Sequence, residues 1–155
     1  MAIVLLISYS LAGNLARISS SSNKIKPQED APNVLLVTVD AARMEYFDST
    51  DRQFCCPSYA KLAKQGVQFH QAYAQSPLSG PSHVSILSGV GPWRHGVYSN
   101  AVSIPEHQML LAEHFQEIGY TTAGFVSSFQ VSGTLGFDRG FEVYDDDYWS
   151  IRGWS

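Results

Sequence analysis

Cysteine, clustered basic charge and internal repetition are all scarce in this chain, and each scarcity removes a class of function. Only two cysteines occur in 155 residues, the neighbours Cys55 and Cys56. Adjacent cysteines bridge each other only under strain, and two alone build neither a disulfide framework nor a zinc site. They are expected as buried or partly buried thiols ahead of a helix. Ten Lys and Arg are scattered against fourteen Asp and Glu, for a net charge of -4. No basic stretch therefore offers a nucleic-acid surface. The acidic triplet Asp145, Asp146 and Asp147 is expected as a solvated turn. What is present is ordinary globular material, 45% hydrophobic and 15% charged, enough for one core.

The N-terminus differs from the rest. Ala2 to Leu6 is apolar throughout and Ile7 to Ala12 mostly so, yet no Lys or Arg precedes the run. Ser10-Leu11-Ala12 places small residues where a signal peptidase reads, and the run is short for a membrane span. Residues 1–18 are therefore expected as a signal peptide or N-terminal anchor. This implies export to a periplasmic or extracellular space, or attachment to a membrane at the N-terminus. Residues 19–31, beginning SSSSNKIKPQED, read as a polar linker, and residues 32–155 as the folded domain.

Within that domain, Val34 to Val39 is a continuous apolar run closed by Asp40, the pattern of a strand buried on both faces. A helix is expected from Cys56-Pro57 to Gly66, then a strand over 67–73 with Val67, Phe69 and Tyr73 on one side. Pro77 to Gly80 reads as a loop. Pro81 suits a helix N1 position, and Gly89 stops that helix. Leu111, Phe115 and Ile118 mark a helix over 106–118, ended by Gly119, and Tyr120 to Val126 follows as a strand. After Gly133 the chain is loop-rich, with a short strand near Phe141 to Tyr144. The alternation of helix and strand defines an α/β fold with a mostly parallel sheet flanked by helices.

In such sheets, functional residues lie beyond the carboxyl ends of strands. Asp40 sits at one such end, and a carboxylate there suits a hard divalent cation. Ser79 precedes a helix whose N–H groups and dipole favour a tetrahedral anion. A hydroxyl on a metal loses its proton readily and becomes a nucleophile. Asp40, Ser79, a cation and a helix N-terminus together describe a site for a sulfate or phosphate ester.

Longer stretches carry a resemblance. NVLLVTVDAAR (from Asn33), CPSYAKLAKQGVQFHQAYAQSPLSGPSHVSILSG (from Cys56), RHGV (from Arg94), LAEHFQEIGYTTAGFVSS (from Leu111) and GFDRGFEVYDD (from Gly136) follow one another with the order and spacing of a sulfatase. The chain resembles the N-terminal part of a sulfatase catalytic domain, in the alkaline-phosphatase superfamily. The resemblance implies a partial alkaline-phosphatase-like fold, truncated at the C-terminus. It makes Asp40 a metal ligand and Ser79 both a metal ligand and the nucleophile, directly or as formylglycine. His83 stands where the family motif C/S-x-P-S-R has its arginine, and is a second candidate catalytic residue. The cofactor implied is a divalent cation, calcium, and the partners are a sulfate- or phosphate-ester substrate and a formylglycine-generating enzyme.

Three departures accompany the likeness. Ala41 replaces the second aspartate of the family's pair. His83 replaces the arginine that the oxidising enzyme reads, which counts against formylglycine at Ser79. Gly124-Phe125-Val126-Ser127 lies where typical members have G-K-W-H. A branch with Ser for Cys and P-S-H for P-S-R shares these features. The two later metal ligands of the family have no counterpart here, so a fragment, inactive by itself, is expected. Two other functions stay open: a phosphomonoesterase or phosphodiesterase using unmodified Ser79, and a non-catalytic sulfatase-like binding protein.

The remaining candidates have plainer expected roles. His95 is expected as a structural residue or one that supports the site from behind, His107 and His114 as surface or partly buried, and His70 as a satisfied strand histidine. Arg139 is expected to stabilise a turn, and Arg43 either approaches the site or pairs at the surface.

Overall fold

The computed structural model describes residues 2–8, 31–43, 47 and 57–147. Cys55, Cys56, most of the expected linker and the tryptophans after residue 148 lie outside them.

Strand β1 (Ala2–Ser8) lies between β2 (Val34–Val39) and β3 (Thr121–Phe125), and β4 (Val143–Asp145) flanks β3. β1 is antiparallel to both neighbours, with Leu5 opposite Leu36 and Gly124; β3 and β4 are parallel. β2, β3 and β4 thus share one direction, as expected for an α/β sheet, and β1 runs against them. Part of the segment expected as a leader therefore forms the strand that joins β2 to β3. A short apolar segment satisfies its backbone by pairing on both sides. The rest of that segment lies outside the described residues, among which no helix is long and apolar enough to cross a membrane.

The helices are α1 (Pro57–Gln65), α2 (Ser79–Ser88), α3 (Pro92–His95) and α4 (Leu111–Glu117). Two 3-10 turns, Phe129–Val131 and Gly133–Leu135, precede β4. The core forms around α2. Val84 and Leu87 pack with Val97, Ile104, Leu110, Val126, Val131, Leu135 and Phe137, and Leu36 and Tyr144 close the cluster from the sheet. Each large apolar side chain so buried contributes roughly 2 kcal/mol before entropy is counted. α2 stops as expected: Gly89 takes φ 72° and its N–H bonds the Ser85 carbonyl.

Four expectations are corrected. Residues 67–73 form no strand: Val67, Phe69 and Tyr73 are each at least 76% exposed, and so is His70 largely open to solvent. The alternating pattern is real, but no described strand offers it a partner. The helix expected over 106–118 starts only at Leu111. Arg139 explains the delay, because its guanidinium binds the carbonyls of Glu106 (3.1 Å) and Gln108 (2.7 Å) and holds that stretch as a turn. Glu113 then accepts the Leu110 N–H at 2.8 Å and starts the helix. β2 is covered on one face only, leaving Leu35, Val37 and Val39 half exposed or more. The acidic triplet is not simply solvated: Asp145 ends β4, and Asp146 accepts from the Ser132 hydroxyl and the Gly133 N–H.

Gly140 shows how tightly α4 approaches the loop before β4. It has φ +80°, and a Cβ there would stand 2.1 Å from the Glu113 backbone nitrogen. Gly89 has a similar φ but open space around it. Gly140→Ala is expected to cost about 3 kcal/mol or more, through backbone displacement. Gly89→Ala should cost only about 1–2 kcal/mol, for the left-handed conformation alone. Urea unfolding of the two variants checks the difference, and equal losses would contradict the packing described.

Candidate active site

β2 delivers Asp40 to the sheet's carboxyl end, where the chain turns away through Ala41. Ala41 holds φ 55°, a left-handed conformation uncommon outside glycine, and its N–H bonds Asp40 Oδ1 at 3.0 Å. The self-contact orients the carboxylate, leaving Oδ2 toward α2. There Ser79 Oγ donates to Asp40 Oδ2 at 2.8 Å. Ser79 is the first residue of α2, after an extended Leu78. The helix therefore starts two residues earlier than Pro81 suggests, which puts the hydroxyl at the helix's positive end.

The structure brings all three predicted site residues, Asp40, Ser79 and His83, to one open cleft of about 460 Å³. Thr38, Ser82 and Ile86 also line it, and among the described residues Asp40 is its one carboxylate. His83 is 4% exposed. Its Nδ1 lies 2.7 Å from the Ser79 carbonyl and its Nε2 lies 3.1 Å from Thr38 Oγ1. A carbonyl only accepts, so Nδ1 carries the proton; in the neutral ring Nε2 then accepts from the Thr38 hydroxyl. Both ring nitrogens are thus engaged with groups other than the Ser79 hydroxyl. Burial lowers the His83 pKa below the usual imidazole value, and the Ser79 carbonyl and the Asp40 charge offset this in part.

Sequence reasoning missed two contributors. Thr38 carried no motif, although its spacing of two from Asp40 puts both side chains on one face of β2. Asn100 follows RHGV and accepts the Gly80 N–H on its Oδ1 at 2.8 Å. One of the helix N–H groups expected to be available for an anion is therefore already paired. Other expectations resolve simply. His95 is structural: its Nε2 donates to Ser85 Oγ, which donates to the Pro81 carbonyl, and its Nδ1 accepts the Val97 N–H. His107 and His114 are exposed, and Arg43 is exposed and does not line the cleft. Arg139 stabilises its turn. Gly124 to Val126 form the end of β3 and the residue after it, with Gly124 packed under Tyr144.

The oxygen donors Asp40 and Ser79 are of the hard kind that calcium or magnesium prefers. They number two, whereas calcium takes six to eight. Among the described residues no group of three His, Cys, Asp or Glu side chains converges on one point. The pair fits such an ion in chemistry but not in number.

The site is thus a strand-end carboxylate on a helix-start hydroxyl within an α/β sheet. The Sulfatase family model matches residues 32–153, and the chain belongs to the sulfatase family. It is 34% identical over 93 residues to the choline-sulfatase of Rhizobium meliloti, covering 59% of this chain and 18% of that protein. It is 27% identical over 149 residues to an N-acetylglucosamine-6-O-sulfatase of Bacteroides thetaiotaomicron, covering 85% of this chain and 25% of that protein. An N-acetylgalactosamine-6-O-sulfatase of the same organism is 38% identical over 71 residues, 43% of this chain and 14% of that protein. The chain thus spans about a quarter or less of the length of these curated relatives. No solved structure matches it significantly.

Two buried histidines set a pH dependence. Desolvation lowers the pKa of both His83 and His95 in the folded chain. Between those values and the unfolded value of about 6.5, the unfolded chain binds more protons. The contribution to stability is therefore complete above about pH 6.5 and is lost as pH falls below it. Urea midpoints at pH 7.5 and 5.5, both above the carboxylate range, should show a lower midpoint at pH 5.5. Equal midpoints would contradict the buried, neutral state of both rings.

Proposed function

We propose that this chain is the nucleophile-bearing part of a sulfate-ester hydrolase. Ser79, as the hydroxyl or as the hydrate of formylglycine, attacks sulfur while the S–O bond to the ester's alcohol breaks and the alcohol leaves, and Asp40 is the carboxylate that orients the attacking oxygen. The observation that carries this reading is the 2.8 Å bond from Ser79 Oγ to Asp40 Oδ2 at the mouth of the cleft. A carboxylate accepting from a hydroxyl aligns the oxygen lone pair and takes up the proton as attack proceeds. The dipole of the ten-residue α2 favours the anionic ester beside its first turn. Membership of the sulfatase family supplies the ester class.

In the same reading Asp40 and Ser79 are two ligands of a divalent cation, calcium by resemblance. Such an ion would lower the pKa of a bound hydroxyl. The remaining ligands would come from outside the described residues. A second reading, hydrolysis of a phosphate ester by unmodified Ser79, is favoured by one observation. His83, in the place of the arginine that the oxidising enzyme reads, is buried between Thr38 and the Ser79 carbonyl.

Mass spectrometry and calorimetry test these statements. After co-expression with a formylglycine-generating enzyme, the peptide containing Ser79 should lose two hydrogens if the sulfatase chemistry uses an aldehyde. An unchanged mass selects the plain hydroxyl. Calcium should bind weakly, with Kd on the order of 1 mM, and Asp40→Asn should abolish the binding heat. Identical heats for the two proteins would remove Asp40 from the cation site.

A further inference from the structure

Thr38 in β2 and Asp40, the residue just past its end, face two side chains of α2, and the spacings match. Thr38 and Asp40 are two apart, a rise of about 6.6 Å in extended chain. Ser79 and His83 are four apart on the helix, a rise of about 6 Å. Both pairs lie on one face of their element. Asp40 meets Ser79 and Thr38 meets His83, so the helix runs opposite to the strand with two side-chain rungs between them. A single rung lets α2 pivot about the Ser79 contact; a second one, a helical turn away, removes the pivot. His83 adds a third tie, because its Nδ1–H holds the Ser79 carbonyl at 2.7 Å. The ring is nearly fully buried, so an unpaired nitrogen would carry a desolvation cost.

We infer that Thr38 and His83 form a positioning pair that fixes the rotamer of Ser79 against Asp40, with neither residue acting on the substrate. The inference deepens the proposed function and rests on its reading of Ser79 and Asp40 as reacting groups. It gives a role to Thr38, and gives His83 a role other than acid–base chemistry. The chain would tolerate Ser at 38, which keeps the hydroxyl, and would not tolerate Val, which keeps the shape and loses the donor.

The experiment is NMR on the full 155-residue chain at neutral pH, with labelled histidine and with side-chain couplings measured at Ser79. Wild type should show His83 in the Nδ1–H tautomer with a hydrogen-bonded Nε2, and Ser79 in a single χ1 rotamer. Thr38→Ser should reproduce both signatures. Thr38→Val should shift the Nε2 resonance toward an unbonded acceptor and average the Ser79 couplings over two or more rotamers, with the thermal midpoint kept within a few degrees. An Nε2–H tautomer in wild type would overturn the inference with no variant needed. So would a Thr38→Val chain whose Ser79 couplings are unchanged. Should both signatures appear while calcium calorimetry shows no binding, the pairing stands and the cation reading of Asp40 falls.

Discussion

A hydroxyl at the start of a helix donates to a carboxylate at the end of a strand, and the placement of both depends on how α2 sits against the sheet. Val84 and Leu87 hold the helix body in the core, and Leu36 meets the same cluster from β2. Core packing alone leaves a helix free to slide or rotate slightly. Polar contacts with strict geometry remove that freedom, because each buried donor must find its acceptor. Ser79 with Asp40, His83 with Thr38 and Gly80 with Asn100 all cluster at one end of α2. At the next turn His95 and Ser85 tie α2 to α3. The apolar body gives α2 its stability, and its polar contacts give it an address.

Much of the fold and site was legible in the sequence, and the parts that were legible share a cause. β2, α2, its glycine stop and β3 announce themselves through local chemistry: apolar runs, a proline near the helix start and a glycine with positive φ. The placement of Asp40 and Ser79 was legible because an apolar run closed by an acid marks a strand end, and a hydroxyl ahead of Pro81 marks a helix start. Their direct contact was not, since it depends on how two elements thirty-nine residues apart meet. Thr38 and Asn100 were silent for the same reason: one threonine within a strand and one asparagine in a turn carry no local signal. The delayed start of α4 was equally hidden, because Arg139, some thirty residues away, competes for carbonyls that a helix would otherwise use. Period-two alternation over residues 67–73 predicted a strand, but a strand exists only where another strand receives it.

The departures from the family pattern also acquire a physical meaning. Ala41, where the family has a second aspartate, adopts a left-handed turn that points its own N–H back at Asp40. The backbone thereby satisfies one carboxylate oxygen, and the hydroxyl of Ser79 satisfies the other. Asp40 is thus a settled group within the folded chain, oriented before anything else binds. His83, where the resemblance places an arginine, puts a ring of different reach and no fixed charge beside Ser79. It lines the cleft while both of its ring nitrogens serve the backbone of Ser79 and the side chain of Thr38.

The outward face of β2 extends the argument to the whole domain. Leu35, Val37 and Val39 are 58%, 50% and 54% exposed, while Val34 and Leu36 face the inner layer. A half-solvated strand alternates apolar with polar residues; one apolar on both faces belongs to a sheet with layers on both sides. The composition of β2 therefore demands a second layer that the described residues do not provide. A divalent cation at Asp40 and Ser79, as proposed, would likewise demand oxygen donors that the described residues do not provide. These two deficits, one of apolar cover and one of polar ligands, occur along a single strand and at its end. The relatives of this chain are four or more times as long as the segment they share with it. A chain of the relatives' length has the material for a layer on the outer face of such a strand.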